Sequence, residues 1–366
     1  MITEKEILKY KGLSFKKLKL MVKEVRNQLS LEEQNLISFS KNFTLSLSNY
    51  CQNQCGYCYY NHHIAKSGKD ENIALIESEE IKNLISRGIE YHCKEALLMS
   101  GENPEKFEIV QKKLKERNFE RFIDYIVHIS LQLLDYNIFP HTNIGVLPYE
   151  DLKELKKYNA SMGLMLESTS QKLNQQGGVH EYSPSKAPSI RINHIKNAGK
   201  LKIPFTTGLL IGIGESLEDR VNALFTIKDI HLEFGHIQEV ILQNFVYKKG
   251  IPYLPDKHLM IEELLRITGI ARLIFGNEIP IQVPPNLIKG YEKDFLDLGI
   301  DDFGGISPLT MDYINPSQPW PNIEELHQIC SKNGFHLKER LPIYDKFINK
   351  EGFISENIKK KLQAIN

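Results

Sequence analysis

The 366-residue chain predicts an α/β barrel of six to eight parallel strands, a partial to nearly complete TIM-like barrel with a helical cap at its N-terminus. Three observations predict it. Apolar, strand-like runs recur along the chain with helical segments between them. No hairpin turn joins one run to the next, so the strands are parallel. About eight such βα units can be counted, which favours a closed or nearly closed barrel. A hydrophobic content of 41% is enough for a large core and excludes a disordered chain.

Residues 3–35 place Leu, Val and Ile at helical spacing among Lys and Glu, as in KKLKLMVKEVRNQL, and predict one or two amphipathic helices. From Phe43 the period changes to two, with Phe43, Leu45 and Leu47 alternating with Thr44, Ser46 and Ser48, as in a strand. Further strand candidates lie at 95–99, 137–142, 161–166, 204–211, 237–244, 279–283 and 301–304. No Ser/Gly/Pro-rich linker interrupts them. The expected organisation is a helical segment over 1–35, a core barrel over 36–275, and an extension over 276–366 that completes the barrel. In such a barrel the functional groups sit on loops following the strands, so polar residues just after each apolar run are the candidates.

Lys plus Arg and Asp plus Glu both number 46, giving a formal charge of zero, and no basic tract suggests nucleic acid or an anionic membrane as a partner. The N-terminus has no apolar signal region. The longest apolar stretch, around Phe205–Ile213, falls short of the roughly 20 residues that span a bilayer. A soluble, cytoplasmic protein is expected.

Three of the five cysteines fall within eight residues, which is the spacing of a metal site and not of a disulfide framework. Cys93 and Cys330, by contrast, are expected to be small buried side chains. The cluster reads CQNQCGYCYY, with Cys51, Cys55 and Cys58 directly after the first barrel strand. Three thiolates hold three irons of a 4Fe-4S cubane and leave the fourth without a protein ligand. An amino acid can chelate the bare iron through its amino and carboxylate groups, and if it is S-adenosylmethionine, one electron from the reduced cluster splits a sulfur-carbon bond to give a 5'-deoxyadenosyl radical. A zinc-stabilised binding module, with His62 or His63 as the fourth ligand, is the alternative from another class.

At this triplet, with the aromatic Tyr57 before its last cysteine, the sequence resembles the radical S-adenosylmethionine superfamily. The stretches SGENPE (100–105), PHTNIGVL (140–147), MGLMLE (162–167), IPFTTGLLIGIGE (203–215), GHIQEVILQNF (235–245), GIDDFGGISPLT (299–310) and INPSQPWP (314–321) narrow the likeness. They resemble the family of the first subunit of 7,8-didemethyl-8-hydroxy-5-deazariboflavin synthase, in the pathway to coenzyme F-420.

The resemblance implies a carbon-nitrogen lyase. The deoxyadenosyl radical takes hydrogen from 5-amino-5-(4-hydroxybenzyl)-6-(D-ribitylimino)-5,6-dihydrouracil, and ring closure with loss of ammonia follows. S-adenosylmethionine is a cosubstrate. Implied partners are the second, tyrosine-using synthase subunit and an electron donor such as ferredoxin or flavodoxin. A synthase of the partner-subunit type is the nearest alternative among enzymes.

Carried onto this sequence, the superfamily pattern places Tyr57 against the adenine and Gly101 and Glu102 near the amino group of S-adenosylmethionine, with Ser100 departing from the usual glycine. Glu167 is expected to accept hydrogen bonds from the ribose or ammonium, and Arg191 to pair with the carboxylate as a planar fork. Gly208, Gly212 and Glu215 match a pattern that lets backbone approach the adenine. His141, Thr142 and Asn143 after the third strand, and Gln243 and Asn244 ending the sixth, are expected to bind substrate. Asp302 is the carboxylate expected to serve substrate binding or proton transfer.

Overall fold

The computed structural model describes residues 12–64, 72–255 and 259–364; residues 3–11 of the expected N-terminal helices lie outside the described residues. Helix α1 (Phe15–Arg26) begins at Ser14, whose hydroxyl accepts from the Lys17 N–H. Helix α2 (Leu31–Asn35) begins with a reciprocal capping box between Ser30 and Glu33.

Eight parallel strands then close a barrel: β1 (Leu36–Ser48), β2 (Glu95–Ser100), β3 (Phe139–Asn143), β4 (Ser161–Gly163), β5 (Phe205–Ile211), β6 (Ile237–Asn244), β7 (Ile281–Gln282) and β8 (Asp302–Ile306). Each pairs with the next, and β1 pairs with both β2 and β8, so the ring has no free edge. A ninth strand, β9 (His336–Glu339), lies parallel to the first residues of β1.

Helices α3 (Ser78–Glu90), α4 (Glu108–Glu116), α5 (Phe122–Asp135), α6 (Tyr149–Leu155), α7 (Pro188–Lys200), α8 (Leu217–Phe234), α9 (Ile261–Phe275), α10 (Glu292–Asp297) and α11 (Ile323–Lys332) fill the crossovers around it. The short α12 (Asp345–Ile348) and α13 (Glu356–Gln363) close the C-terminal end. No described helix is long and apolar enough to cross a membrane.

The alternation in β1 sorts its side chains as the period of two requires. Phe43, Leu45 and Leu47 are fully buried in the core shared with the helices, and the Phe43 ring lies against Gly88 of α3. Asn42 and Thr44 face the barrel interior. The polar face of the strand thus points inward, so the interior is a lined cavity and not an aliphatic core.

Two strands are shorter than the apolar runs suggested. After Gly163 the chain leaves the ladder and rejoins β5 only at the isolated bridge between Glu167 and Leu209. Strand β7 is confined by Pro280, Pro284 and Pro285, which have no N–H to give a ladder. Strand β9 escaped sequence reading because only Leu337 is buried along it, which leaves no alternation to detect.

Below β9 the chain turns under the barrel and seals it. The carbonyl of Pro342 accepts from Ser161 Oγ at 2.5 Å and Gln238 Nε2 at 3.2 Å, and Arg340 pairs with Glu239 and Asp302. The same end is tied to α1 and α9 through Asp301. Its carboxylate takes Arg26 Nη1 at 2.7 Å, Arg272 Nη2, and the Ile281 N–H at 2.8 Å.

Removing the anion would leave two guanidinium groups buried against each other, so Asp301→Ala is expected to cost about 3 kcal/mol of stability in denaturant unfolding. Burial alone would raise the Asp301 carboxyl, but Arg272 and Arg26 reverse this and hold it below its ordinary value. Its contribution is therefore complete above the unfolded-state pKa of about 3.9 and is lost as the pH falls through the depressed folded value. The wild-type and variant stabilities should converge on acidification; a gap that stays constant down to the acid transition would remove the role.

Candidate active site at the barrel mouth

A cavity of about 370 Å³ runs down the barrel from the cysteine loop to the Arg340–Pro342 seal. The loop leaves β1 and is strapped down by backbone bonds. Gly56 N–H donates to Val179 O at 2.8 Å, Gln54 N–H to Tyr182 O at 3.0 Å, and Tyr253 N–H to Gly56 O at 2.9 Å. Asn53 Oδ1 accepts from the backbone N–H and the hydroxyl of Ser185.

Cys51, Cys55 and Cys58 carry free thiols and all line the cavity. Cys51 Sγ accepts from the N–H of Asn53 at 3.4 Å and of Glu102 at 3.2 Å, and Cys55 Sγ from the Ser183 hydroxyl at 3.3 Å. These donors suit a thiolate. Burial pushes all three thiols up, Cys58 to about 12, so metal binding must displace their protons.

The donor set fits a 4Fe-4S cubane. Among the described residues no three Cys, His, Asp or Glu groups converge as the ligands of one ion would, and a cubane asks each thiolate to hold a different iron. His62, the candidate fourth zinc ligand, is instead turned to the Cys51 N–H through Nδ1 at 3.4 Å and stacks on Tyr50 at 4.3 Å.

The Ser-Gly-Glu segment interlocks with this loop. Gly101 N–H donates to Ser48 O at 2.7 Å, Gln52 N–H to Glu102 O at 2.9 Å, and Gln52 Nε2 to Glu102 Oε1 at 2.8 Å. Across the cavity wall, Gly145 has φ +94, and a Cβ there would fall 2.3 Å from Glu102 Cγ. Only glycine leaves the carboxylate its place.

Glu167 sits in the left-handed region at φ +66, where a non-glycine residue is strained. Its side chain is held by the Tyr57 hydroxyl, Lys186 Nζ and, at 3.2 Å, His180 Nε2. Burial opposes ionisation of this carboxyl, but Lys186, His180 and Arg191 outweigh it and hold it well below the usual carboxylate range. Arg191 gives Nε to Met165 O at 2.6 Å and lies 3.9 Å from both Glu102 and Glu167. Its Nη1 is buried without a hydrogen-bond partner among the described residues, and Arg191 lines the cavity that includes the cysteines.

Of the other expected site residues, His141, Asn143, Gln243 and Asn244 line the same cavity. Thr142 does not: its hydroxyl points out of the barrel to Asn159 Oδ1 at 2.7 Å, because neighbours on a strand face opposite sides. Gly208, Gly212 and Glu215 build the rim without lining the cavity. Glu215 binds the N–H groups of Gly212 and Ile213, each at 2.8 Å, and Arg220 at 2.7 Å, which fixes the turn, while Gly208 packs within the wall against Ile241 and Met165.

Asp302 is also corrected. It opens β8 and so lies at the bottom of the barrel, fully buried and held by Arg340, Ser38 and Tyr344, with no face on the cavity. Sequence reading missed Lys186 and His180, and also Glu95, Glu239 and Arg340 on the cavity floor. The detectable signal was a lone carboxylate inside an apolar run, in KEALLM and QEVILQ.

A closed parallel barrel with three cysteines at its mouth defines the class of protein, and the family model of the radical SAM superfamily matches residues 45–227. Proteins named 7,8-didemethyl-8-hydroxy-5-deazariboflavin synthase are similar along most of the chain. The one from Methanococcus vannielii is 47% identical over 327 residues, 89% of this chain and 90% of that protein. The one from Methanococcus maripaludis strain C5 is 43% identical over 364 residues, 98% and 100%. The chain belongs to the 7,8-didemethyl-8-hydroxy-5-deazariboflavin synthase family within the radical SAM superfamily.

Two solved structures share the fold alone. The FeFe-hydrogenase maturase HydG has a TM-score of 0.72 at 15% identity, covering 99% of this chain and 85% of its own. Methylornithine synthase (PylB) has a TM-score of 0.69 at 18% identity, covering 93% and 95%.

Cys55→Ala is expected to abolish the brown iron-sulfur absorption after anaerobic reconstitution. Unchanged iron and sulfide content in that variant would show that the triplet is not the ligand set.

Proposed function

We propose that the chain converts 5-amino-5-(4-hydroxybenzyl)-6-(D-ribitylimino)-5,6-dihydrouracil into 7,8-didemethyl-8-hydroxy-5-deazariboflavin, closing the ring and releasing ammonia, in coenzyme F-420 biosynthesis. One observation carries this reading: Cys51, Cys55 and Cys58 open onto a cavity that runs down the barrel of a chain aligning nearly end to end with synthases of that name.

A 4Fe-4S cluster held by the three cysteines would supply reductive cleavage of S-adenosylmethionine to methionine and the 5'-deoxyadenosyl radical. The chain's own groups then bind and shield. The Nη1 of Arg191, which has no hydrogen-bond partner among the described residues, is a cation for the carboxylate of S-adenosylmethionine, and Glu102 is an acceptor for its amino group. Glu167 positions Tyr57 and Lys186 beside them. The Arg340–Pro342 seal closes the cavity below, which limits the access of water to a reactive radical from that side. In this reading the second, tyrosine-using synthase subunit supplies the adduct, and a donor such as ferredoxin or flavodoxin supplies the electron.

The direct experiment is anaerobic incubation of the reconstituted protein with reductant, S-adenosylmethionine and the adduct, monitored for deazaflavin fluorescence and ammonia. Formation of 5'-deoxyadenosine without deazaflavin would assign the chain another substrate. Arg191→Lys, which loses the planar fork, is expected to weaken S-adenosylmethionine binding roughly tenfold while leaving iron content unchanged, read by equilibrium binding. An unaltered isotherm would remove the carboxylate-binding role.

A further inference from the structure

The floor of the cavity is polar where a barrel of this kind usually packs branched aliphatic side chains. Asn42 on β1, Glu95 on β2, His141 on β3 and Gln282 on β7 all face it. Glu95 is 7% exposed, yet its one hydrogen bond is a long 3.4 Å contact from Asn42 Nδ2, and no cation pairs with it among the described residues. Asn42 is 4% exposed, and its Oδ1 is buried without a hydrogen-bond partner among the described residues. A buried carboxylate and a buried amide oxygen left so poorly satisfied are costly unless a ligand supplies donors.

His141 adds a third acceptor. The Ser161 hydroxyl donates to Pro342 O at 2.5 Å, so its oxygen can only accept from His141 Nδ1–H, 2.6 Å away. Burial lowers the His141 pKa and keeps the ring neutral, which leaves Nε2 an acceptor. Gln282 contributes the one amide not otherwise hydrogen-bonded among the described residues that line this floor. The charged neighbours do not compete: Arg340 is committed to Glu239, Asp302 and the Leu341 carbonyl.

The two glycines of the FGG motif explain how these amides fit. A Cβ on Gly304, which has φ +78, would fall 1.9 Å from Gln282 Nε2, and one on Gly305 2.1 Å from Asn42 Nδ2. Strand β8 is kept bare so that the amides can lie across it.

We infer that Glu95, Asn42, His141 and Gln282 form a polyol subsite at the barrel floor, which takes a chain of hydroxyl groups as donors to three acceptors. Resting on the proposed function, the occupant is the ribityl tail of the substrate. The tail enters first, and the substituted ring is left facing the cysteine loop. Glu95 is thereby the residue that sets specificity for the sugar chain.

The test compares equilibrium binding of two probes to the reconstituted, anaerobic protein: the ribityl adduct and the same adduct carrying an n-pentyl chain. The unaltered protein should prefer the ribityl probe. Glu95→Gln should weaken ribityl binding roughly tenfold or more and the pentyl probe less than about twofold, with S-adenosylmethionine binding unchanged. Gly305→Ala, which displaces the Asn42 amide through a neighbouring strand, should erode the same preference and serves if the first variant does not fold. Equal binding of the two probes by the unaltered protein, or a preference fully kept in the variants, overturns the subsite. Ribityl-dependent binding without deazaflavin formation upholds the subsite and overturns only the reading of the reaction.

Discussion

The register of β1 is the constraint on which the rest of the structure depends. This strand closes the barrel against β2 and β8, seats β9 and runs directly into the cysteine loop. A slip of one residue would exchange Phe43, Leu45 and Leu47 with Asn42, Thr44 and Ser46. The helices would then face hydroxyls, the cavity would fill with aliphatic groups, and Gly101 could not donate to Ser48 O. Burial of one apolar face therefore fixes the position of the three cysteines and the polarity of the strand face below them.

Charge is distributed along the cavity in two zones. At the mouth, Lys186 and Arg191 face Glu102 and Glu167, so a zwitterionic amino acid meets both signs within one ring of groups. At the floor, Arg340 neutralises Glu239 and Asp302, while Glu95 remains open to the cavity. Burial, with Asp302 alongside, raises the Glu239 carboxyl despite the arginine. The floor is suited to a neutral, hydroxylated group, and the mouth to a charged one.

The strained and glycine-dependent positions cluster where these zones are assembled. Glu167 holds its left-handed conformation because its N–H donates to Gly208 O at 2.8 Å and its side chain is anchored three ways. Gly145, Gly304 and Gly305 make room for the side chains of Glu102, Gln282 and Asn42. The motifs that mark the family thus serve as much to seat polar groups as to contact anything directly.

By itself the sequence determined the barrel, the cysteine triplet and which side of β1 is buried. These depend on local period and spacing, and a period of two or 3.6 survives without knowledge of partners. It also pointed to the Ser-Gly-Glu segment, Glu167 and Arg191, all near strand ends where a barrel gathers its loops. Only the tertiary structure decided that Thr142 turns away from the cavity, that Glu215 braces a turn, and that Asp302 lies at the bottom beneath Arg340. Arg340 comes 38 residues later in the chain, and Lys186 reaches Glu167 from an irregular segment, so neither pairing leaves a local trace. What a buried charge can do depends on which distant group neutralises it, and that is set by chain closure, not by sequence neighbours.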